Sequence, residues 1–488
     1  MRLVDSALGS LDPSILVPRY DRSRLRPGIV HIGVGNFHRA HQSWYLHRLF
    51  QAGLDLDWAI VGAGVRPYDA SMQLKLRAQD YLTTLVVREP GESSAEVVGS
   101  MIDYLPVEPG NGALIRQMTA PEIRIVSLTV TEGGYYADPA TGAFNARHPD
   151  IHHDVDNPDS PNTAFGAMVA ALRQRRARGV GPFTGQSCDN LQGNGRMLRQ
   201  AVVSLAALTD PELAVWIDTH CTFPNSMVDC IVPATGPKEL ALASELGIDD
   251  AAPVTHEKFR QWVIEDRFCA GRPAWEKVGA AFTDAVHDYE LMKIRILNGG
   301  HQLVANAGEV CGIKTIADCM ADPAIRAYVG KVTHEEIVPH VRPVEQFKPD
   351  EYAQLIARRF SNPLIVDTTR RVAFDGSSRH PGFLIPSIRD GLRTDGSVRG
   401  LALAEAIWAR YCQGTREDGS TIEPNDPNWE QLMQSARAAR ADPARWLRLR
   451  QFYGELGDEP RFASAFAHWL ELINHRGVRP ALREFLGD

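Results

Sequence analysis

Segments typical of buried strands alternate with amphipathic helical segments in the amino-terminal part of this chain. The strand segments are short, rich in β-branched residues and apolar at consecutive positions, as in strands that are buried on both faces. They are GIVHIGVG (28–35), WAIVGAG (58–64), YLTTLVV (81–87), IRIVSLTVT (123–131) and GPFTGQSC (181–188). Helical patterns lie between several of them, as at residues 39–52 and 163–179. This alternation predicts an α/β fold with a parallel sheet and crossover helices.

The first strand segment ends in a glycine turn, GVGNFHRAHQ (33–42). Gly33 and Gly35 fit the positions that allow a tight turn and close approach of the backbone to a pyrophosphate, which then lies at the amino end of the next helix. His38 stands where the third glycine of the G-x-G-x-x-G pattern belongs, and Arg39 is placed to meet a phosphate. A glycine turn without a ligand is the alternative. The strand before it and the helix after it favour a Rossmann-type dinucleotide site.

The second strand segment ends in GAGVRPYD (62–69), which places Asp69 just past it. A carboxylate at this position accepts hydrogen bonds from the adenosine ribose and repels a 2′-phosphate, so Asp69 favours NAD over NADP. Arg66 argues the other way. The interval from the glycines is also longer than the usual ~20 residues. A solvated loop carboxylate is therefore the alternative for Asp69.

Beyond about residue 285 the pattern becomes mainly helical, as in the segments 401–414, 428–441 and 461–477. We therefore expect two domains, a dinucleotide-binding domain at 1–284 and a mainly α-helical substrate domain at 285–488, with the active site in the cleft between them. The Pro- and Asp-rich segment HPDIHHDVDNPDSPN (148–162) predicts a surface loop.

Composition excludes several classes of partner. The net charge of −8 offers no basic surface for nucleic acid or an anionic membrane, so a small molecule is the expected partner. The seven cysteines form no C-x-x-C pair and no zinc spacing with histidine, so we expect no metal. The start MRLVDSALGSLDPS lacks the features of a signal peptide, and we expect a cytoplasmic, monomeric protein.

The stretch YELMKIRILNGGH (289–301) allows two interpretations. Tyr289 and Lys293 have the Tyr-x-x-x-Lys spacing of short-chain dehydrogenases, but Tyr289 lies far beyond the glycine turn of the first domain, and we assign it to packing. Alternatively, Lys293, Asn298 and His301 form a polar set. On a regular α-helix His301 lies about 80° and Asn298 about 140° from Lys293.

This spread is too wide for a tight cluster. We therefore expect Gly299 and Gly300 to loosen or end the helix. The alternative is an exposed Lys293, with Asn298 as a helix cap.

The sequence resembles the mannitol dehydrogenase family of polyol-specific long-chain dehydrogenases over nearly its whole length. The motifs that carry the resemblance are GVGNFHRAHQ (33–42), SLTVTEGGY (127–135), SCDN (187–190), FPNSMVD (223–229), GRPAWEKVG (271–279) and KIRILNGGH (293–301). The resemblance implies a Rossmann-type amino domain, a helical carboxyl domain, and metal-independent, NAD-dependent, reversible oxidation of a sugar alcohol to a ketose. D-mannitol and D-fructose are the expected pair. The family also lacks the third glycine, so His38 ceases to count against cofactor binding.

The resemblance also implies roles for individual residues. Lys293 would be the general base, Asn190 and Asn298 would donate hydrogen bonds to the alkoxide-like oxygen, and His301 would orient it. Further catalytic residues are Asp229, which supports the hydrogen-bond network, and Glu290, which lines the proton route together with Glu132. Arg371 would contact substrate. The cofactor-binding residues would be Gly33, Gly35, Phe37, His38, Arg39, Asp69 and Glu132.

Other functions remain open on the sequence. Gly300, Gly185 and Gln186 depart from the residues expected beside the reacting centre, so another polyol such as D-arabinitol or D-sorbitol is an alternative. A fructuronate-type reductase would need a further cation for the sugar carboxylate. A non-catalytic dinucleotide-binding regulator is a third alternative, which the presence of Lys293, Asn298 and His301 argues against.

Overall fold

A computed structural model describes residues 1–137 and 143–487 of the chain. The chain divides into two compact units, Met1–His287 and Asp288–Asp488. The strands all lie in the first unit: β1 (Pro27–Ile32), β2 (Ala59–Ala63), β3 (Thr83–Glu89), β4 (Glu92–Val98), β5 (Met101–Tyr104), β6 (Ile125–Leu128), β7 (Thr184–Ser187), β8 (Ser226–Asp229), β9 (Val254–His256), β10 (Gln261–Ile264) and β11 (Ala281–Phe282).

A five-stranded parallel sheet in the order β5-β2-β1-β6-β7 forms the centre of the first unit. Ile29, Val30 and Ile32 of β1 have no exposed surface, because helices cover both faces of the sheet. The helices of this unit are α1 (Asn36–Ala40), α2 (Gln42–Gln51), α3 (Asp69–Arg77), α4 (Gly112–Thr119), α5 (Pro149–Asp156), α6 (Ala164–Ala177), α7 (Asn194–Thr209), α8 (Pro211–His220) and α9 (Pro237–Glu245). The predicted Rossmann-type α/β fold is confirmed.

One predicted strand lies in a different sheet. The segment YLTTLVV forms β3, which pairs antiparallel with β4 and parallel with β9 outside the parallel sheet. The hairpin pairs Glu89 with Glu92 around a two-residue Pro-Gly turn in which Gly91 has φ +80°. The strand that completes the parallel sheet is β5, which the sequence analysis did not predict. A four-residue strand directly after a hairpin has too short a pattern to be recognised alone.

One helix prediction and one loop prediction for the first unit need correction. The segment 39–52 is interrupted at His41, whose φ of −119° and ψ of −93° separate α1 from α2. The segment predicted as a loop at 148–162 contains α5 instead. Pro149 occupies its first turn, and the ring Nδ1 of His148 accepts the Asp150 N–H at 3.2 Å. Proline at the first helical position, with a side-chain cap before it, is a helix start signal that the loop-like composition concealed.

The second unit is helical, as predicted. Its helices are α10 (Val286–Met292), within which the division between the units falls, α11 (Gly299–Val310), α12 (Ile316–Ala321), α13 (Pro323–Val332), α14 (Pro349–Phe360), α15 (Thr369–Val372), α16 (Gly376–Phe383), α17 (Ile385–Arg393), α18 (Arg399–Tyr411), α19 (Trp429–Ala438), α20 (Ala444–Leu447), α21 (Arg450–Tyr453), α22 (Pro460–Arg476) and α23 (Val478–Leu486). Among the described residues, none of the chain's helices combines the length and apolar character needed to cross a membrane.

A buried polar network ties α11 to its neighbours in the second unit. Asn306 Nδ2 lies 2.9 Å from His380 Nε2, and His380 Nδ1 lies 2.9 Å from Glu405 Oε1. The Tyr453 hydroxyl donates to the other Glu405 oxygen at 2.6 Å. All four side chains are buried. Buried polar groups are costly unless they are hydrogen-bonded, so this network specifies how α11 packs on α16, α18 and α21.

Candidate active site

The glycine turn at the end of β1 has the geometry that the sequence predicts. Gly33 has φ +93°, and a Cβ there would lie 2.2 Å from the Thr129 carbonyl oxygen, so only glycine fits. A Cβ at Gly35 would meet no atom within 4 Å. The open space beside the Gly35 backbone fits the close approach of a dinucleotide pyrophosphate.

The residues after the turn are packed inside the first unit. Phe37 stacks on His41 with ring centroids 4.8 Å apart, and His38 stacks on His31 of β1 at 3.4 Å. His38 is buried, and burial is the main cause that holds its pKa well below the usual value. His38 is therefore a neutral ring that fills space where the G-x-G-x-x-G pattern has only a glycine.

Arg39 is buried and hydrogen-bonded inside the first unit. Its side chain is 1% exposed. The guanidinium donates to the Ala252 carbonyl, to Asn36 Oδ1 at 2.6 Å and to the Gly35 carbonyl at 3.3 Å. These contacts hold the turn itself, and the phosphate contact of Arg39 stays a prediction.

Asp69 lies at the start of α3, directly beyond β2. Its Oδ2 accepts the backbone N–H of Val65 at 3.1 Å and of Arg66 at 2.9 Å. The carboxylate therefore closes the loop after β2. Since β1 and β2 are adjacent and parallel, Asp69 and the glycine turn lie at the same edge of the sheet.

Asp189 connects the motif SCDN (187–190) to the motif SLTVTEGGY (127–135) in the first unit. This role was not predicted from the sequence. It is buried and accepts hydrogen bonds from the Thr131 N–H at 2.8 Å, the Val130 N–H at 3.2 Å and the Tyr135 hydroxyl at 2.7 Å. Thr131 has φ +66°, which is strained for a β-branched residue. Asp189 thus holds the strained segment at Thr131. The next residue in the chain after Asp189 is the candidate Asn190.

The remaining candidates of the first unit lie at strand ends. Asn190 is exposed just beyond β7. Asp229 is buried at the end of β8, which belongs to the three-stranded β11-β10-β8 sheet. Glu132 lies in a 3₁₀ turn, but its side chain falls outside the part of the chain that the structure describes.

Lys293 and Asn298 lie on a π-helical turn between α10 and α11. The turn spans Lys293–Asn298, and the Gly299 N–H donates to the carbonyl five residues back, at Ile294. Bonding from i to i+5 widens the turn, so residue i+5 lies nearer to residue i around the axis than in a regular α-helix, where they are about 140° apart. Both side chains are 8% exposed. A π turn therefore places Lys293 and Asn298 nearer to one face of the helix than a regular α-helix would.

The prediction that Gly299 and Gly300 loosen or end the helix is wrong. The helix continues through both residues to Val310. A Cβ on Gly299 would lie 3.3 Å from Leu384, and one on Gly300 would lie 3.3 Å from Phe360. The glycines therefore serve close packing of α11 against its neighbours.

His301 is held as a neutral ring. It stacks on Phe360 with centroids 4.3 Å apart and planes at 12°. Burial lowers the pKa of His301 to about 4, and the charges of Asp367, Arg371, Arg359 and Arg379 act on it with smaller effect. Arg359 and Arg379 were not identified from the sequence.

Arg371, and not Arg370, faces the group formed by His301 and its charged neighbours. Arg371 donates to both oxygens of Asp367, at 2.7 and 2.5 Å, whereas Arg370 donates to the carbonyls of Glu423 and Pro424. The structure thereby distinguishes the two neighbouring arginines.

One acidic side chain, Glu290, and one phenolic side chain, Tyr289, precede Lys293 on α10. Glu290 is 5% exposed and Tyr289 is 4% exposed. Burial also raises the pKa of Tyr289. Among the described residues, no group of three or more His, Cys, Asp or Glu side chains is arranged to hold a metal ion.

Comparisons with known proteins agree with this organisation. Residues 27–277 match the family model of the mannitol dehydrogenase Rossmann domain, and residues 285–474 match that of the mannitol dehydrogenase C-terminal domain. The chain is 55% identical over 473 residues to a mannitol 2-dehydrogenase from Cereibacter sphaeroides, covering 97% of this chain and 99% of the relative. It is 40% identical to one from Aspergillus terreus, covering 97% and 96%.

Two solved structures share the fold along essentially the whole chain. One is Pseudomonas fluorescens mannitol 2-dehydrogenase in a ternary complex with NAD and D-mannitol, with a TM-score of 0.90, 41% identity and full coverage of both chains. The other is a D-sorbitol dehydrogenase in substrate-free form, with a TM-score of 0.90, 34% identity and coverage of 99% of this chain and 100% of the other.

Proposed function

The chain belongs to the mannitol dehydrogenase family, and from this we propose that it is an NAD-dependent polyol dehydrogenase that oxidises D-mannitol reversibly to D-fructose. The observation that carries the proposal is the π turn, which has a buried lysine at one end and a buried amide at the other. The relatives named mannitol 2-dehydrogenase support mannitol as the substrate. The location of the active site in a cleft between the two domains and the monomeric state stay predictions.

Residues of the first unit would hold the dinucleotide. Gly33 and Gly35 leave room for the pyrophosphate, and Asp69 would accept hydrogen bonds from the ribose. Phe37 and His38 would act by packing beneath the turn, and Glu132 is proposed by resemblance. Bound NAD would supply the acceptor for the hydride that leaves the substrate carbon.

Lys293 would take the proton of the reacting hydroxyl. An amine acts as a base only in its neutral form, and burial favours that form. Lys293 is buried at the start of the π turn. Glu290, one turn earlier on the same helix, is proposed by resemblance to carry the proton towards solvent, and Asp229 to support the network.

Amide and imidazole groups would stabilise the oxygen as negative charge develops on it. Fixed N–H donors from Asn190 and Asn298 interact more strongly with an alkoxide than with a hydroxyl, so they lower the barrier instead of only binding substrate. Neutral His301 can hydrogen-bond to the same oxygen without protonating it. Arg371 would contact a more distant substrate hydroxyl.

The D-sorbitol dehydrogenase among the structural neighbours favours D-sorbitol as the second candidate substrate. A hexuronate substrate is less well supported, because Asp367 already neutralises Arg371. NADH formation measured with D-mannitol, D-sorbitol, D-arabinitol and D-mannonate, each with NAD and NADP, tests the assignment. The highest kcat/KM with mannitol and NAD supports it. A protein that binds NADH but oxidises none of these compounds would be a regulator, and the proposal would be wrong.

Replacing Asp69 by serine is expected to weaken NAD use and improve NADP use. The change removes a ribose partner and a charge that repels the 2′-phosphate. Serine keeps an oxygen acceptor for the Val65 and Arg66 N–H groups, so the loop after β2 is preserved better than with alanine. The ratio of kcat/KM for the two dinucleotides is the measurement. An unchanged ratio in the folded variant would show that Asp69 is not the selector.

Activity is expected to survive removal of metal ions. Lys293 occupies the role that a zinc ion fills in metal-dependent alcohol dehydrogenases. Turnover is measured before and after prolonged dialysis against a chelator, with metal content determined on both samples. Loss of turnover that added zinc restores would contradict a lysine-based mechanism.

A further inference from the structure

Arg66 lies where a Rossmann-type fold distinguishes the two dinucleotides. It is in the loop after β2, and its backbone N–H donates to Asp69 at 2.9 Å. In NADP-binding folds an arginine near this acid accommodates the 2′-phosphate of the ribose. Guanidinium suits that role because it forms paired, charge-assisted hydrogen bonds to phosphate oxygens. A protein that uses NAD therefore has to keep such an arginine from binding the phosphate.

The guanidinium of Arg66 is already bound within the first unit. Its Nη2 donates to the Tyr136 hydroxyl at 2.9 Å and to Asp150 Oδ2 at 3.1 Å. The Tyr136 hydroxyl donates to the same Asp150 oxygen at 2.8 Å. The three side chains therefore form a closed triangle of hydrogen bonds.

The partners of Arg66 are held in place by the fold. The Tyr136 ring is buried and packs edge-on against His148, with centroids 4.7 Å apart. Asp150 lies in the first turn of α5, where its backbone N–H is capped by His148. The position favours a carboxylate, because the amino end of a helix stabilises negative charge.

The charge of Arg66 is matched by an ionised Asp150. Partial burial raises the pKa of Asp150, but hydrogen bonds from Tyr136 and Arg66 outweigh this effect, and the pKa lies below its usual value. The carboxylate is therefore ionised at neutral pH. The side chains of Arg66 and Asp150 remain 38% and 31% exposed, so Arg66 could exchange partners if Asp150 were removed.

We propose that Asp150 and Tyr136 form a latch that occupies the guanidinium of Arg66 and so disfavours NADP. The latch rests on the proposed function and deepens it, because it adds a second selector to Asp69. Asp69 repels the 2′-phosphate, and the latch withholds the cation that would attract it. Releasing Arg66 should therefore improve NADP binding even when Asp69 is intact.

The test measures dissociation constants of NADH and NADPH by fluorescence titration, which does not depend on turnover. Asp150→Ala is expected to tighten NADPH binding about tenfold, the size of one charge-assisted contact, with NADH changed by much less. The double variant Arg66→Ala/Asp150→Ala should lose this gain. Asp159→Ala is the matched control, because it removes the same charge from a pair with Arg173 at 2.5 Å in the same unit. It should leave the ratio of the two constants unchanged.

Tyr136→Phe provides a second test if Asp150→Ala fails to fold. It removes one partner of the guanidinium but keeps the ring on His148, and it should shift the ratio in the same direction by a smaller factor. An unchanged ratio in folded Asp150→Ala would overturn the latch. If Asp150→Ala does not fold, an unchanged ratio in folded Tyr136→Phe would overturn it. So would a gain that persists in Arg66→Ala/Asp150→Ala, since it would come from lost repulsion alone. A parent protein that binds neither dinucleotide would overturn the proposed function itself.

Discussion

Replacing Lys293 by alanine is expected to lower kcat by at least the 10² to 10⁴-fold typical of a lost acid–base group, about 3 to 5 kcal/mol, while NADH still binds. The expectation follows from the buried position of Lys293 on the π turn. Lys293→Arg is a sharper variant, because arginine keeps the positive charge but does not deprotonate. It should be as impaired as alanine. Added primary amines should restore part of the activity of Lys293→Ala only.

Tyr289→Phe is the matched control, since it tests the short-chain interpretation of the same stretch. Tyr289 is buried, and its raised pKa makes the phenol a poor proton donor and a poor base at neutral pH. Turnover should stay within a few-fold of the parent. A folded, NADH-binding Tyr289→Phe protein that loses turnover a thousandfold would contradict the assignment of Lys293, and so would an active Lys293→Arg.

The sequence predicted the features that depend on local pattern. Short segments that are partly continuous in apolar character identified β1, β2, β6 and β7, and the glycine spacing identified the turn at Gly33. The helical second unit followed from apolar spacing in the same way. These predictions succeed because the pattern of apolar residues within a segment indicates how that segment is buried.

The features that failed depend on contacts between segments. The assignment of β3 to the parallel sheet failed because β-branched runs do not encode which strand is the neighbour. The internal contact of Arg39 was not predicted because its partner, the Ala252 carbonyl, is far away in sequence. The π turn between Lys293 and Asn298 was not predicted because it depends on how the helix packs, whereas a regular α-helix turns about 100° per residue throughout.

A π turn is rarely kept without a reason, because its backbone bonding is less favourable than that of an α-helix and such turns are frequent at functional sites. Here the turn changes which residues share a face. With α-helical geometry the amide of Asn298 would point away from Lys293. One i to i+5 turn places the two residues nearer to the same side. The π turn is therefore accounted for if both groups must reach one substrate oxygen.

Asn298→Ala is accordingly expected to lower kcat by about 10² to 10³-fold, the loss seen when one oxyanion donor is removed. KM for the polyol should change much less, because the amide stabilises charge that is present only in the transition state. The binding of NADH should be unchanged, since the glycine turn and Asp69 lie in the other unit. Steady-state kinetics with thermal unfolding measured on the same samples separates catalysis from stability.

Asn306→Ala on the same helix should show the opposite pattern. Asn306 is also a buried asparagine, but its amide lies 2.9 Å from His380 in the structural network. Its loss leaves a buried polar group without a partner, which costs about 1 to 3 kcal/mol of the free energy of unfolding. Its kcat should remain within a few-fold of the parent at temperatures where the variant is folded. If Asn298→Ala instead lowered stability and left kcat intact, the π turn would serve packing, and the oxyanion role would have to be assigned elsewhere.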